Sequence, residues 1–156
     1  ERCTEKTSEV RYNMKVRHVG ITVTDLSESI NFYVHHLGFK MAVEMDEAGE
    51  HIDRFSGLNN IDVRTVKLRG DDNCMIELLY YRSHPCVASE NKKRNITAIG
   101  CSHFALTVPD LDYLYEHLRA QGVDFMCAPQ YSPDGKVKLT FCRDPDGTLI
   151  ELVQEL

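Results

Sequence analysis

Four residues of this 156-residue chain have the types and placement to hold a metal ion: His18, Glu77, His103 and Glu151. His18 opens "HVGITVTDL" (18–26), and His103 opens "HFALTVPDL" (103–111). Glu77 stands in "MIELLY" (75–80) and Glu151 in "LIELVQ" (149–154). Side chains of a strand alternate between its two faces. His18 then shares a face with Gly20 and Thr22, while Val19, Ile21 and Val23 take the other. His103 likewise shares a face with Ala105 and Thr107, opposite Phe104, Leu106 and Val108. Each glutamate lies between two apolar residues that point away from it, Ile76 and Leu78 or Ile150 and Leu152. Glutamate is disfavoured in strands, so its return at matching places of two histidine-bearing segments asks for a chemical reason. Two neutral imidazoles and two carboxylates suit a divalent first-row metal. Such an ion, with open positions, would polarise a substrate carbonyl and stabilise negative charge gathering on its oxygen.

The elements that must position these residues also come in pairs. The two histidine segments start 85 residues apart (18 to 103). Each is followed by an amphipathic stretch, "SESINFYVHHLGF" and "DYLYEHLRAQGVDF", with Ile30, Tyr33, Val34 and Leu37 or Leu111, Leu114, Tyr115 and Leu118 at helical spacing. Asp25 and Asp110 suit the N-caps, and Gly38 and Gly122 the C-terminal ends. "MAVEM" and "VRTVKL" read as strands in the first half, "VDFMC" and "VKLTF" in the second. "GDDN" (70–73) and "DPDG" (144–147) are turn chemistry leading into the last strands. "DEAGEHIDRFSGLNN" (46–60) reads as a loop over the site.

The sequence thus predicts an α+β fold of two βαβββ modules, 14–81 and 99–156, joined by a linker at 82–98 into one domain. A half of this size buries too little surface to be comfortable alone. Residues 1–13, ahead of Met14, read as a disordered leader or added segment outside the fold.

Composition narrows the function classes. Hydrophobic residues make up 42% and charged residues 27%, a globular balance. The formal charge of −6 argues against a nucleic-acid partner, and the short "NKKRN" (91–95) reads as a solvated loop. No apolar run approaches the roughly 20 residues of a membrane span, and no secretory segment opens the chain. The six cysteines include no C-x-x-C pair; they read as small buried hydrophobes in a reducing, cytoplasmic setting.

Other titratable residues are weaker candidates. Glu44, in "MAVEM", is a possible second base whose ordinary reading is a solvated acid. Arg64 and Lys67 must point to opposite faces of their strand, so one reaches a substrate anion and the other faces solvent. His35, His36 and His117 read as helix surface, His51 and His84 as loop residues, and Phe32 and Tyr33 as core.

"HVGITVTDLSESINFYVHHLGF", "HFALTVPDL" and "DPDGTLIEL" resemble the vicinal-oxygen-chelate superfamily over about residues 14–156. That group includes glyoxalase I, methylmalonyl-CoA epimerase, extradiol dioxygenases, and fosfomycin and bleomycin resistance proteins. The resemblance implies that the paired modules form an open, cup-shaped mixed β-sheet around a metal, with helices on the outside. It implies His18, Glu77, His103 and Glu151 as ligands of one Ni, Co, Zn or Mn ion. It further implies that Glu151 or Glu77 leaves the metal to act as base in a lyase or isomerase working through an enolate of a small oxygenated substrate. A homodimer is expected on the same ground.

Two positions depart from the glutathione-using members. Thr22 stands where bacterial glyoxalase I usually carries arginine, and Tyr81 where it usually carries asparagine. The 26 residues from Glu77 to His103 resemble the epimerases, whereas "RDPDGTLIEL" resembles the glyoxalases. An Fe(II) extradiol dioxygenase would use His18, His103 and Glu151, leaving Glu77 surplus. A non-enzymatic antibiotic-binding protein is the third alternative; such members usually lack the ligands that this chain keeps.

Overall fold

In the computed structural model, residues 14–85 and 95–156 are described. The segment 1–13 and most of the expected linker lie outside them. The element order is β1 (Val19–Thr22), α1 (Leu26–Ile30, running on as a π-helical stretch Asn31–His36), β2 (Lys40–Ala48), α2 (Glu50–Ser56), β3 (Asp62–Arg69) and β4 (Met75–Tyr81). The second half continues with β5 (His103–Thr107), α3 (Leu111–Ala120), β6 (Gln130–Tyr131), β7 (Val137–Arg143) and β8 (Leu149–Glu155). Both halves therefore follow the βαβββ order that the repeat predicts, the first with α2 inserted between β2 and β3.

The strands form two open four-stranded sheets, ordered β1-β4-β3-β2 and β5-β8-β7-β6. In each, the first strand lies parallel to the last and the remaining pairs are antiparallel. The helices begin as their caps require. Asp25 accepts the Glu28 N–H at 2.9 Å, and Asp110 accepts the Tyr113 N–H at 3.0 Å. Gly38 and Gly122 follow the helices at φ 79° and 83°, a left-handed conformation open to glycine.

One apolar core joins the modules. Phe32, Tyr33, Leu68, Ile76 and Leu78 of the first pack in the same cluster as Leu111, Leu118, Ile150 and Leu152 of the second. These are the strand faces turned away from the histidines, so helices and shared core occupy one side of each sheet. Hydrogen bonds between two pairs of described residues, Tyr33–Asp144 and Thr24–Asp146, cross the same interface. The buried Tyr33 hydroxyl donates to Asp144 Oδ2 at 2.9 Å, and the Thr24 N–H donates to Asp146 Oδ2 at 2.9 Å.

Three local expectations are corrected. The 46–60 segment is not a loop: β2 runs through Ala48 and α2 follows it. Ile52 of α2 packs on Ile61 and Val63, while the Asp53 carboxylate accepts the N–H groups of Asn60 and Ile61. Tertiary contact thus makes a helix from a stretch with little apolar periodicity. "VDFMC" is not a strand either; Phe125 makes one isolated bridge to Cys142, and the edge strand forms later, at Gln130–Tyr131. Pro129, lacking an N–H, stands between these two contacts. Finally, among the described cysteines Cys142 is buried, and burial pushes its thiol up to about 12. Cys74, Cys101 and Cys127 are exposed because they sit in turns and segments flanking the strands rather than on core faces.

Candidate functional site

Strand pairing brings each histidine to its glutamate. β1 lies along β4 with Gly20 beside Glu77. The alternation that buries Ile76 and Leu78 turns Glu77 to the opposite face. His18, two residues before Gly20, reaches that face, and its Nε2 stands 3.1 Å from Glu77 Oε2. The second module repeats the arrangement. Ala105 lies beside Glu151, and His103 Nε2 stands 3.3 Å from Glu151 Oε2. The imidazoles keep about a third of their surface open, 32% and 31%, so both pairs remain reachable by a ligand.

The surroundings of the pairs differ. Lys67 lies across from Glu77 in the ladder, with Nζ 3.4 Å from Glu77 Oε1. Lys67 is thus the strand cation on the site face. Phe141 takes the matching place across from Glu151, and its ring meets the His103 ring edge-on at a centroid distance of 5.1 Å. Ser102 Oγ lies 2.8 Å from His103 Nδ1, where it fixes the plane of the imidazole. The 74-residue shift from Glu77 to Glu151 carries Lys67 to Phe141, a signal in the sequence that would have found Phe141.

Glu44 is excluded from this face. A bulge between Met41 and Val43 resets the alternation of β2, so Val43 lies across from Lys67 while Glu44 points the other way. There the Arg64 guanidinium holds it, with Nε 2.8 Å from Glu44 Oε1 and Nη1 3.0 Å from Asp46 Oδ2. Arg64 is therefore tied in ion pairs on the face away from the histidines. α2 covers one end of the Glu77 face, since Leu79 and Tyr81 pack against its Ile52 cluster. His51 lies on α2 rather than in a loop, its ring 6.3 Å from that of Phe55. His36 is half-buried rather than on the surface, its ring 6.4 Å from that of His117 across the helices.

The structure brings the four expected ligands together as two pairs. Among the described residues, no group of three or more His, Cys, Asp or Glu side chains gathers where it could hold a metal. One chain thus presents two half-sets of donors, each an imidazole and a carboxylate.

A family model described as the Glyoxalase/Bleomycin resistance protein/Dioxygenase superfamily matches residues 15–152. The chain belongs to this superfamily. A lactoylglutathione lyase of Arabidopsis thaliana is 29% identical over 143 residues, 91% of this chain and 44% of that protein. The chain therefore spans less than half the length of that relative. A 2-epi-5-epi-valiolone epimerase of an Actinomyces species is 28% identical over 148 residues, covering 88% of this chain and 78% of that one. Among solved structures, a glyoxalase family protein from Bacillus cereus superposes with a TM-score of 0.84 at 24% identity, over 96% of this chain and 99% of that one. The likeness shows the same fold. Members of the superfamily include lyases and isomerases, and they generally use a divalent metal.

Proposed function

We propose that the chain is a metal-dependent lyase or isomerase acting on a small oxygenated substrate, its site assembled between two copies of the chain. The observation that carries this reading is the recurrence of a His–Glu contact, His18–Glu77 and His103–Glu151, at matching positions of two modules. Each pair supplies one nitrogen and one carboxylate, and two pairs make the mixed donor set that suits Ni, Co, Zn or Mn. Because one chain holds the pairs apart, the first pair of one copy completes its set with the second pair of another. A bound divalent ion supplies Lewis acidity toward a substrate oxygen.

The chain's own residues divide the remaining work. Lys67 adds a second ionic contact to Glu77 and anchors it. Glu151 lies across from the uncharged Phe141 instead, and without a lysine contact among the described residues it is the carboxylate that moves to take a proton from the carbon next to the carbonyl. Ser102 keeps the His103 ring in plane. Thr22 and Tyr81, the latter packed under α2, leave this face without the side chains that hold glutathione in similar proteins.

Elemental analysis of the purified protein tests the metal, and a screen against methylglyoxal with glutathione, methylmalonyl-CoA and catechols tests the reaction. Bound Ni, Co, Zn or Mn with turnover of a carbonyl substrate is the expected result. Glu151→Gln should then lower kcat by roughly 10²–10⁴ while metal stays bound. Unchanged metal content in His18→Ala, or oxygen uptake with a catechol that depends on Fe(II), would overturn the reading.

A further inference from the structure

The two modules are copies, but the two ends of the interface between them are not. At one end Tyr33 donates to Asp144, and the Thr24 N–H and hydroxyl both donate to Asp146. The repeat names the matching residues at the other end. A shift of 85 carries Thr24 to Pro109 and Tyr33 to Leu118 (18 to 103); a shift of 74 carries Asp144 to Gly70 and Asp146 to Asp72 (77 to 151). The two turns share one backbone pattern. Gly70 donates to the Cys74 carbonyl at 2.9 Å as Asp144 donates to that of Thr148 at 3.0 Å, and Asn73 and Gly147 both have positive φ, 64° and 91°. Yet every donor of the lock is gone from the second end. Pro109 has neither amide hydrogen nor hydroxyl, Leu118 has no hydroxyl, and Gly70 has no carboxylate.

A cavity of about 600 Å³ stands at that end, and Gly70, Asp72 and Pro109 are among its walls. We infer that this cavity is a second ligand site, on the face away from the His–Glu pairs, and that it takes a small organic cation with an apolar body. Phe39, Ile76, Phe104, Leu106, Leu114 and Leu152 supply the apolar wall. Among the described residues the charged lining consists of Asp71, Asp72 and Asp110, with no lysine, arginine or histidine. Lys40 offsets Asp71 at 2.9 Å. Asp72 and Asp110 each use Oδ1 for a backbone N–H, that of Cys74 and that of Tyr113. Hydrogen bonds from the Cys74 thiol and N–H hold Asp72 below the usual carboxylate range, so it stays charged at neutral pH.

Carboxylates beside a low-dielectric wall repel anions and favour cations. Phe39, Phe104 and Tyr113 are also in the wall, and aromatic side chains are the apolar residues most favourable to a desolvated cation. The volume falls within the range of small-molecule pockets, roughly 300–1,000 Å³. No side chain at Gly70 can close the gap without rearrangement, since a Cβ there would lie 2.5 Å from Cys74 Sγ.

Calorimetric titration with tetraphenylphosphonium and its near-isosteric anion tetraphenylborate tests the inference without reference to the metal. Saturable binding of the phosphonium is expected, with the borate weaker by about tenfold or more. Asp72→Asn combined with Asp110→Asn keeps both caps and should cost the phosphonium about tenfold. Leu114→Trp should plug the cavity and abolish binding; should it fail to fold by circular dichroism, the paired ions and the double asparagine variant decide alone. Equal binding of the two ions, or phosphonium affinity untouched by the asparagine substitutions, overturns the site. So does phosphonium affinity that falls as protein concentration rises, which would mean that a second copy fills the cleft.

Discussion

Tyr33 and Asp144 illustrate what a single residue discloses about its place. Tyr33 sits at helical spacing among apolar residues, and its burial follows from that pattern. Its hydroxyl partner, 111 residues away, leaves no local mark. The histidines and the two site glutamates were legible for the opposite reason: period-2 alternation and the internal repeat fix their faces without any knowledge of packing. The ordinary reading of Glu44 as a solvated acid also agrees with the structure, which leaves it exposed and, after a bulge in β2, turned away from the histidines. The buried pair has a measurable consequence. Burial raises the Asp144 carboxyl above 3.8, while hydrogen bonds from Thr148 and Tyr33 pull the other way. The folded protein therefore holds this proton more tightly than the unfolded chain does. The contribution to stability is fully present below the unfolded value and is lost as pH rises through the raised folded value. Tyr33→Phe removes one of the lowering bonds, so the loss should extend to higher pH. It should also cost about 1–3 kcal/mol, read as roughly 2–4 °C of Tm per kcal/mol. Thermal melts from about pH 4 to about pH 7 measure both effects, and Asp144→Asn should flatten the profile relative to the wild type. Parallel profiles for all three proteins would remove Asp144 from the account.

At the scale of elements, the βαβββ order was readable because strand alternation, helix spacing, caps and turns all agree within each half. α2 escaped because Glu50–Ser56 carries its one buried residue, Ile52, in only seven residues. Such a helix is too short to persist on its own propensity. It exists through contacts made by its neighbours: Ile52 on Ile61 and Val63, and Asp53 accepting two N–H groups from the returning chain. Those N–H bonds also hold the Asp53 carboxyl below the usual range. Asp53→Ala should therefore loosen α2 and the 57–61 return together, while the sheets stay folded. Limited proteolysis should cut within 49–61 roughly tenfold faster than in the wild type, with little change in the far-ultraviolet dichroism. An unchanged cleavage rate would mean that Ile52 packing alone secures the element. The same logic explains "VDFMC", whose alternation suggests a strand. Val123 and Phe125 pack against the core, but only Phe125 bridges to Cys142.

At the scale of the whole molecule, the sequence discloses two copies of one unit and four donor residues, but not which faces of the two units meet. That depends on Tyr33, Thr24, Asp144 and Asp146 and on the shared apolar cluster, which join the modules on the side opposite the histidines. The result is two donor pairs per chain instead of one four-cornered site. If a complete set forms between copies, damage to different pairs in different chains must be repairable by mixing them. A chain carrying His18→Ala and Glu77→Gln keeps its second pair; one carrying His103→Ala and Glu151→Gln keeps its first. Each alone should bind no metal in the site and show no turnover. In a mixed dimer, one of the two sites draws both intact pairs and the other draws neither. Random association of equal amounts, by co-expression or co-refolding, gives half mixed dimers and so restores about a quarter of the wild-type sites. Metal content and turnover should recover to that same fraction. Were the four donors to close within one chain, mixing would restore nothing, because every chain in the mixture carries a broken set.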